Sequence, residues 1–154
     1  MHRVCLLLGS NIQPEKNIPL AMSLLQKQLT ILKTSSVWES RAVGSDGANI
    51  LNAAMLALTS LDAETLKEDV LHPLEAQLER VRTRDKNSPR TIDLDILTFD
   101  QQLLDLNLWH YAYRAVPMAE VLPDYQSETG EYLKDAALRL AHTTPIWVRN
   151  DVSI

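Results

Sequence analysis

The feature that most constrains the fold lies in residues 91–99, where Ile92, Leu94 and Ile96 alternate with Asp93 and Asp95. Alternation with period two is the signature of a strand, because successive side chains point to opposite faces. The β-branched and aliphatic content of the stretch agrees with that reading. The pattern predicts that the three apolar side chains enter a core and that both aspartates share the other face, roughly 7 Å apart. Like charges held so close on a half-buried face are costly unless a cation lies between them. Mg²⁺ suits such a place beside phosphates, since it takes one or two carboxylates and completes its shell with phosphate oxygens and water. The plainer reading of Asp-x-Asp is a strand edge wetted by solvent.

Just upstream, residues 80–90 hold five basic residues (Arg80, Arg82, Arg84, Lys86 and Arg90) and one acid, Asp85, for a local charge of +4. The whole chain carries −5, so the rest of it carries −9. A positive island on an acidic protein points to an anionic ligand. Guanidinium groups grip phosphate oxygens bidentately. Taken alone, Arg-x-Arg-x-Arg also fits the solvated face of an ordinary segment. Joined to the aspartate strand through Pro89-Arg90-Thr91, it makes a more specific combination.

At 154 residues the chain is expected to form a single domain spanning 1–154, large enough to bury roughly two thirds of its unfolded surface. Its single cysteine, Cys5, lies in an apolar run and has no internal partner for a disulfide. A buried structural thiol in a reducing compartment is the expectation. No apolar run has the length of a signal peptide or a membrane span, so a cytoplasmic location is expected.

Residues 3–8 read as a buried strand, with Gly9-Ser10-Asn11 as its turn. A helix follows, with Asn17 as N-cap, Pro19 in its first turn, and Ile18, Ala21, Met22, Leu25 and Leu29 as its apolar stripe. Two strand-like stretches, residues 30–40 and 50–58, flank a loop that holds two of the four glycines. A second helix starts near Asp62, its stripe formed by Leu66, Val70, Leu74 and Leu78, with a kink expected at Pro73. After the aspartate strand come a short strand at Leu103-Leu104, a helix over residues 132–140, and a terminal strand or loose tail. The order β-α-β-β-α-β predicts an α+β, ferredoxin-like antiparallel sheet with helices packed on one side, plus C-terminal additions. That topology hosts many functions and does not by itself choose one.

Arg80-Val81-Arg82, followed by Pro89-Arg90-Thr91-Ile92-Asp93-Leu94-Asp95-Ile96-Leu97, resembles the signature of the 6-hydroxymethyl-7,8-dihydropterin pyrophosphokinase family of folate biosynthesis. Leu7-Leu8-Gly9-Ser10-Asn11, Ser35-Ser36-Val37-Trp38-Glu39-Ser40, Leu51-Asn52-Ala53-Ala54 and Pro117-Met118-Ala119-Glu120-Val121-Leu122-Pro123 are similar to further segments of that family. They stand in the family's order over residues 4–140. The resemblance implies an enzyme that moves the β,γ-pyrophosphoryl group of ATP to the hydroxymethyl group of the reduced pterin and releases AMP. It implies that Asp93 and Asp95 bind two Mg²⁺ ions, and that Arg80, Arg82 and Arg90 act with them in catalysis. Glu75, Arg82, Arg90, His110 and Arg114 would serve ATP, while Val43, Gly44, Asn52 and Asp93 would serve the pterin. The partners implied are ATP and the pterin, without nucleic acid or membrane, on a monomer.

The chain departs from the family pattern mainly where the pterin is expected. Asn87 replaces a tryptophan, Ser88 a glycine, Thr83 a lysine and Ile50 a tyrosine. Ala42-Val43-Gly44 replaces a Pro-Pro-Leu-Gly turn, and the shortened stretch between His110 and Pro117 lacks the family's stacking phenylalanine. Trp109, Tyr111 and Tyr113 are the aromatics at hand to replace it. A second reading is therefore a divergent paralogue that binds MgATP and uses another acceptor or none. A third is a ferredoxin-like RNA-binding module built on the basic stretch. The aspartates, the missing aromatic pairs and a pI near 5.3 oppose that reading.

Overall fold

The computed structural model describes residues 1–42, 47–79 and 91–154. Val43, Gly44, Arg80, Arg82 and Arg90 lie outside the described residues.

In chain order the elements are β1 (His2–Ser10), α1 (Pro14–Leu25), β2 (Thr30–Thr34), β3 (Trp38–Ser40) and β4 (Ile50–Thr59). Next come α2 (Ala63–Leu66), a π-helical turn (Lys67–Leu71) and α3 (His72–Gln77), then β5 (Asp93–Phe99), β6 (Gln102–Leu103), α4 (Ala112–Val121), α5 (Leu133–Thr143) and β7 (Ile146–Val148). The sheet runs β6-β5-β1-β4-β3-β7, with β2 also paired to β4. Strand β1 is central, antiparallel to both β4 and β5.

The unbroken apolar run of β1 follows from this central place, because both of its faces are covered. Val4, Leu6 and Leu8 enter a core with Ile18, Met22 and Leu25 of α1 and with Leu66, Leu71 and Leu74 of the α2–α3 stretch. Cys5 and Leu7 enter a second core with Ala115 and Met118 of α4 and Leu133 and Leu140 of α5. The helices of the β-α-β-β-α-β unit therefore share one face, as expected, and the C-terminal helices cover the other. Burial pushes the Cys5 thiol up to about 12, as expected of an inert structural cysteine.

Four local expectations are corrected. Gly9 and Ser10 belong to β1, since Gly9 pairs with both Asn52 and Asp93 and so continues the ladder. Helix α1 begins at Pro14 after a left-handed Gln13 (φ 42°), so Asn17 lies inside it rather than at its cap. Its Nδ2 donates to the Ile12 carbonyl at 2.6 Å and closes the preceding turn. Pro19 is likewise interior to the helix. The stretch 30–40 splits into β2 and β3 because Ser35 takes over the pairing at the break. Its N–H donates to the Ala54 carbonyl at 2.9 Å, and its Oγ accepts the Ala54 N–H at 2.8 Å.

Where a kink is expected at Pro73, the structure has a π-helical turn that ends at Leu71, two residues before the proline. Proline cannot supply the N–H of the regular ladder, and its ring crowds the carbonyl four residues back, which a wider turn relieves. Asp62 caps the stretch by accepting the Thr65 N–H at 2.8 Å. The C-terminal segment is packed down as β7 against β3. Arg149 ties it to Glu39 at 2.6 Å and to Asp151 at 2.8 Å.

Candidate functional site

Alternation places Asp93 and Asp95 on the face of the second core, as the sequence pattern requires, while Leu94 turns to the first core. Strand β6 pairs only with Thr98 and Phe99, so among the described residues no strand covers the outer edge of β5 beside the aspartates. Glu75, 2% exposed, closes part of that edge, its Oε2 accepting the Leu94 N–H at 2.9 Å. A carboxylate from α3 thus fixes the backbone between the two aspartates. An unmet amide at a buried edge would be costly, and a charged acceptor gives the stronger form of the bond.

A cleft of about 660 Å³ opens along this edge, lined among others by Lys67, His72, Ile96, Leu104, Asp95 and Arg114. Arg114, from the first turn of α4, forms an ion pair with Asp105 and lies 3.6 Å from Asp95 Oδ2. Its Nε donates to the Tyr113 hydroxyl at 3.2 Å, with the guanidinium over that ring. The Asp95 side chain remains 40% exposed, yet its carboxyl is pushed up to about 6. Displacement of water by the cleft walls is the first cause and the Asp93 carboxylate the second, with Arg114 opposing both. A carboxylate that resists ionisation while the Arg114 guanidinium beside it is shared with Asp105 suits a hard cation. The donor set, two carboxylates on one strand face, fits Mg²⁺.

At the end of the same face, register aligns a second group. Gly9 pairs with Asn52 on one side and Asp93 on the other, and Asn52 pairs in turn with Trp38 of β3. Asn52 is 4% exposed. Its Nδ2 donates to the Leu8 carbonyl at 3.3 Å, and its Oδ1 is buried without a partner. Trp38 is held by Nε1 donating to Glu120 at 2.5 Å, and the same carboxylate accepts the N–H and hydroxyl of Ser36. This anchors the β2–β3 break to α4.

Of the residues expected to act, the structure brings together Asp93, Asp95, Glu75 and Arg114, with Asn52 one strand beyond Gly9. His110 is exposed at the end of the turns before α4. Among the candidate aromatics, Trp109 stacks on Tyr125 with centroids 6.1 Å apart, whereas Tyr113 lies against Arg114. Sequence reasoning missed Asp105, whose place beside Arg114 depends on how residues 104–111 turn. It also read Gly9 only as a turn residue, although Gly9 pairs with Asn52 on one side and Asp93 on the other.

The chain matches the model of the 7,8-dihydro-6-hydroxymethylpterin-pyrophosphokinase family over residues 5–123. It is 32% identical over 149 residues to the 2-amino-4-hydroxy-6-hydroxymethyldihydropteridine pyrophosphokinase of Pseudomonas aeruginosa, covering 88% of this chain and 90% of that protein. The Bacillus subtilis protein of the same name is 32% identical over 133 residues, covering 79% and 78%. Among solved structures, HPPK-DHPS in complex with substrates superposes with a TM-score of 0.71 at 11% identity, covering 92% of this chain and 44% of that one. Wild-type Plasmodium falciparum HPPK-DHPS with pteroate gives 0.69 at 10% identity, with the same coverage of 92% and 44%. The chain spans under half the length of these solved chains, and at such identity the likeness speaks for the fold. The antiparallel sheet with its aspartate strand, the matched span and the curated relatives agree, and the chain belongs to the 7,8-dihydro-6-hydroxymethylpterin pyrophosphokinase family.

Proposed function

We infer that this chain transfers the pyrophosphoryl group of ATP to the hydroxymethyl oxygen of 6-hydroxymethyl-7,8-dihydropterin, as a single-domain, monomeric enzyme of the cytoplasm. The observation that carries the reading is the Asn52-Gly9-Asp93 row. It sets a buried amide acceptor without a partner beside a strand face that bears two carboxylates.

The hydroxymethyl oxygen attacks the β-phosphorus, the bond from that phosphorus to the α,β-bridging oxygen breaks, and AMP leaves with that oxygen. The hydroxyl proton is released to solvent. Asp93 and Asp95 would hold Mg²⁺, as two ions, which would neutralise charge on the transferred phosphates. Glu75 keeps the strand between the aspartates in place through the Leu94 amide. Asp105 holds Arg114 at the cleft, where its guanidinium balances Asp95 in the free protein and faces the phosphates when ATP is bound. Arg80, Arg82 and Arg90 supply further guanidinium groups by the sequence pattern, and His110 a donor near the nucleotide. Positioning two substrates in one dry cleft accounts for much of such catalysis.

The reading as a paralogue without a pterin acceptor is disfavoured by Asn52. A buried Oδ1 without a donor is costly in a site that binds nothing there. The test is AMP release from MgATP with and without 6-hydroxymethyl-7,8-dihydropterin, using Asp93→Ala/Asp95→Ala protein as the blank. Pterin-dependent AMP above the blank is expected. AMP formation indifferent to the pterin would overturn the reading.

A further inference from the structure

Among the described residues, the buried side-chain polar atoms without a hydrogen-bond partner are Ser40 Oγ, Asn52 Oδ1 and Thr91 Oγ1. They gather at one end of the sheet. Asn52 pairs with Gly9, Ser40 stands two residues after the Trp38 that pairs with Asn52, and Thr91 stands two residues before the Asp93 that pairs with Gly9. Gly9 is the centre of the group. Buried polar atoms are almost always paired in folded proteins, so such a cluster around one backbone position points to a ligand with its own donors and acceptors.

Gly9 has an ordinary strand conformation and is not needed there for a left-handed turn. What it provides is space. A Cβ built on Gly9 would lie 2.7 Å from Asn52 Nδ2, closer than such atoms approach, while the next contacts are ordinary at 3.8 and 4.0 Å. The obstacle is therefore the end of one side chain and not the backbone. Asn52 is buried, so its carboxamide can yield only by giving up the Nδ2 bond to the Leu8 carbonyl and swinging its Oδ1 away. The fold would survive such a change, but the direction of the amide would not.

Resting on the function inferred above, we propose that Gly9 is a positioning residue for the acceptor. Its lack of a side chain fixes the Asn52 carboxamide so that Oδ1 meets an N–H donor on the edge of the bound heterocycle. The position thereby selects for an acceptor whose edge presents an N–H donor to Asn52 Oδ1, and it acts through Asn52 without touching the reacting atoms. A site built to meet polar atoms discriminates strongly against a misplaced partner, since its buried groups are then left unpaired.

The test is a double-mutant cycle on the full chain with Gly9→Ala, Asn52→Ala and the pair, following the KM for 6-hydroxymethyl-7,8-dihydropterin, the Kd for MgATP and the thermal midpoint. Gly9→Ala is expected to raise the pterin KM about tenfold or more while MgATP affinity stays within about twofold. In the Asn52→Ala background, where the obstructed amide is gone, the same substitution is expected to cost little. A Gly9→Ala penalty of equal size in both backgrounds, or an unchanged KM in wild-type background, would overturn the proposal while leaving the inferred reaction standing. Wild-type protein that forms no AMP from the pterin would overturn the reaction and the proposal together.

Discussion

The two faces of the central sheet are made by alternate residues of the same strands, and they are built on opposite terms. One face carries Val4, Leu6, Leu8, Ala53, Met55 and Leu94 under α1 and the α2–α3 stretch, packed as one apolar core. The other starts as a core, with Cys5, Leu7, Ala54 and Leu97 under α4 and α5, and ends in Asn52, Gly9, Asp93 and Asp95. A strand cannot vary one face freely without keeping the other, because a shift of one residue exchanges them. The apolar face fixes the register by which the polar face assembles a site from three separate strands. Stability and chemistry are thus separable by residue parity, and substitutions on the two faces should fail in different ways.

The largest effect is expected on the polar face. Asp95→Ala removes one of two carboxylates that fit Mg²⁺ and should lower kcat by about three orders of magnitude or more, while circular dichroism and the cooperative unfolding transition are retained. Turnover within tenfold of wild type would remove the aspartate from the metal site. On the apolar face, Leu6 has no exposed surface, and Leu6→Ala should cost about 2–5 kcal/mol of stability by the loss of buried methyl groups and the cavity left behind. In the folded fraction, KM values for both substrates should remain near wild type. A pterin KM that rises with that substitution would mean that the two faces are mechanically coupled and would break the contrast.

Sequence patterning made one side of this contrast legible and only part of the other. The alternation in β5 fixed the facing of the aspartates, and the helical stripes identified Ile18, Met22, Leu66 and Leu74, because periodicity reports directly which side is dry. The coverage of both faces was hidden, since the continuous apolar run of β1 does not say which helices lie on which side. The break at Ser35 was hidden because a side-chain oxygen replaces a ladder acceptor in a stretch that otherwise reads as one strand. The Asn52-Gly9-Asp93 row depends on register between strands more than forty residues apart. The Arg114–Asp105 pair depends on the turns leading into α4. Neither has a local period from which it could be read.

The smallest expected effect is electrostatic and belongs to the metal-free protein. The Asp95 carboxyl has its pKa raised in the folded chain to about 6 from an ordinary 3.8. Between these values the folded state binds a proton that the unfolded state has lost. Stability contributed by this group is therefore present at low pH and falls as pH rises through that window, the full penalty being reached above about 6. Asp95→Asn has no such group to ionise. Thermal midpoints measured from pH 4 to pH 7 with a chelator present should show wild type losing ground to the variant across that interval. Added Mg²⁺ should return part of the loss to wild type alone, because a cation bound by the folded state stabilises it by mass action. Parallel pH profiles for the two proteins would mean that Asp95 is solvated like an ordinary surface carboxylate. The polar face would then differ from the apolar one in composition without carrying the electrostatic strain that a cation relieves.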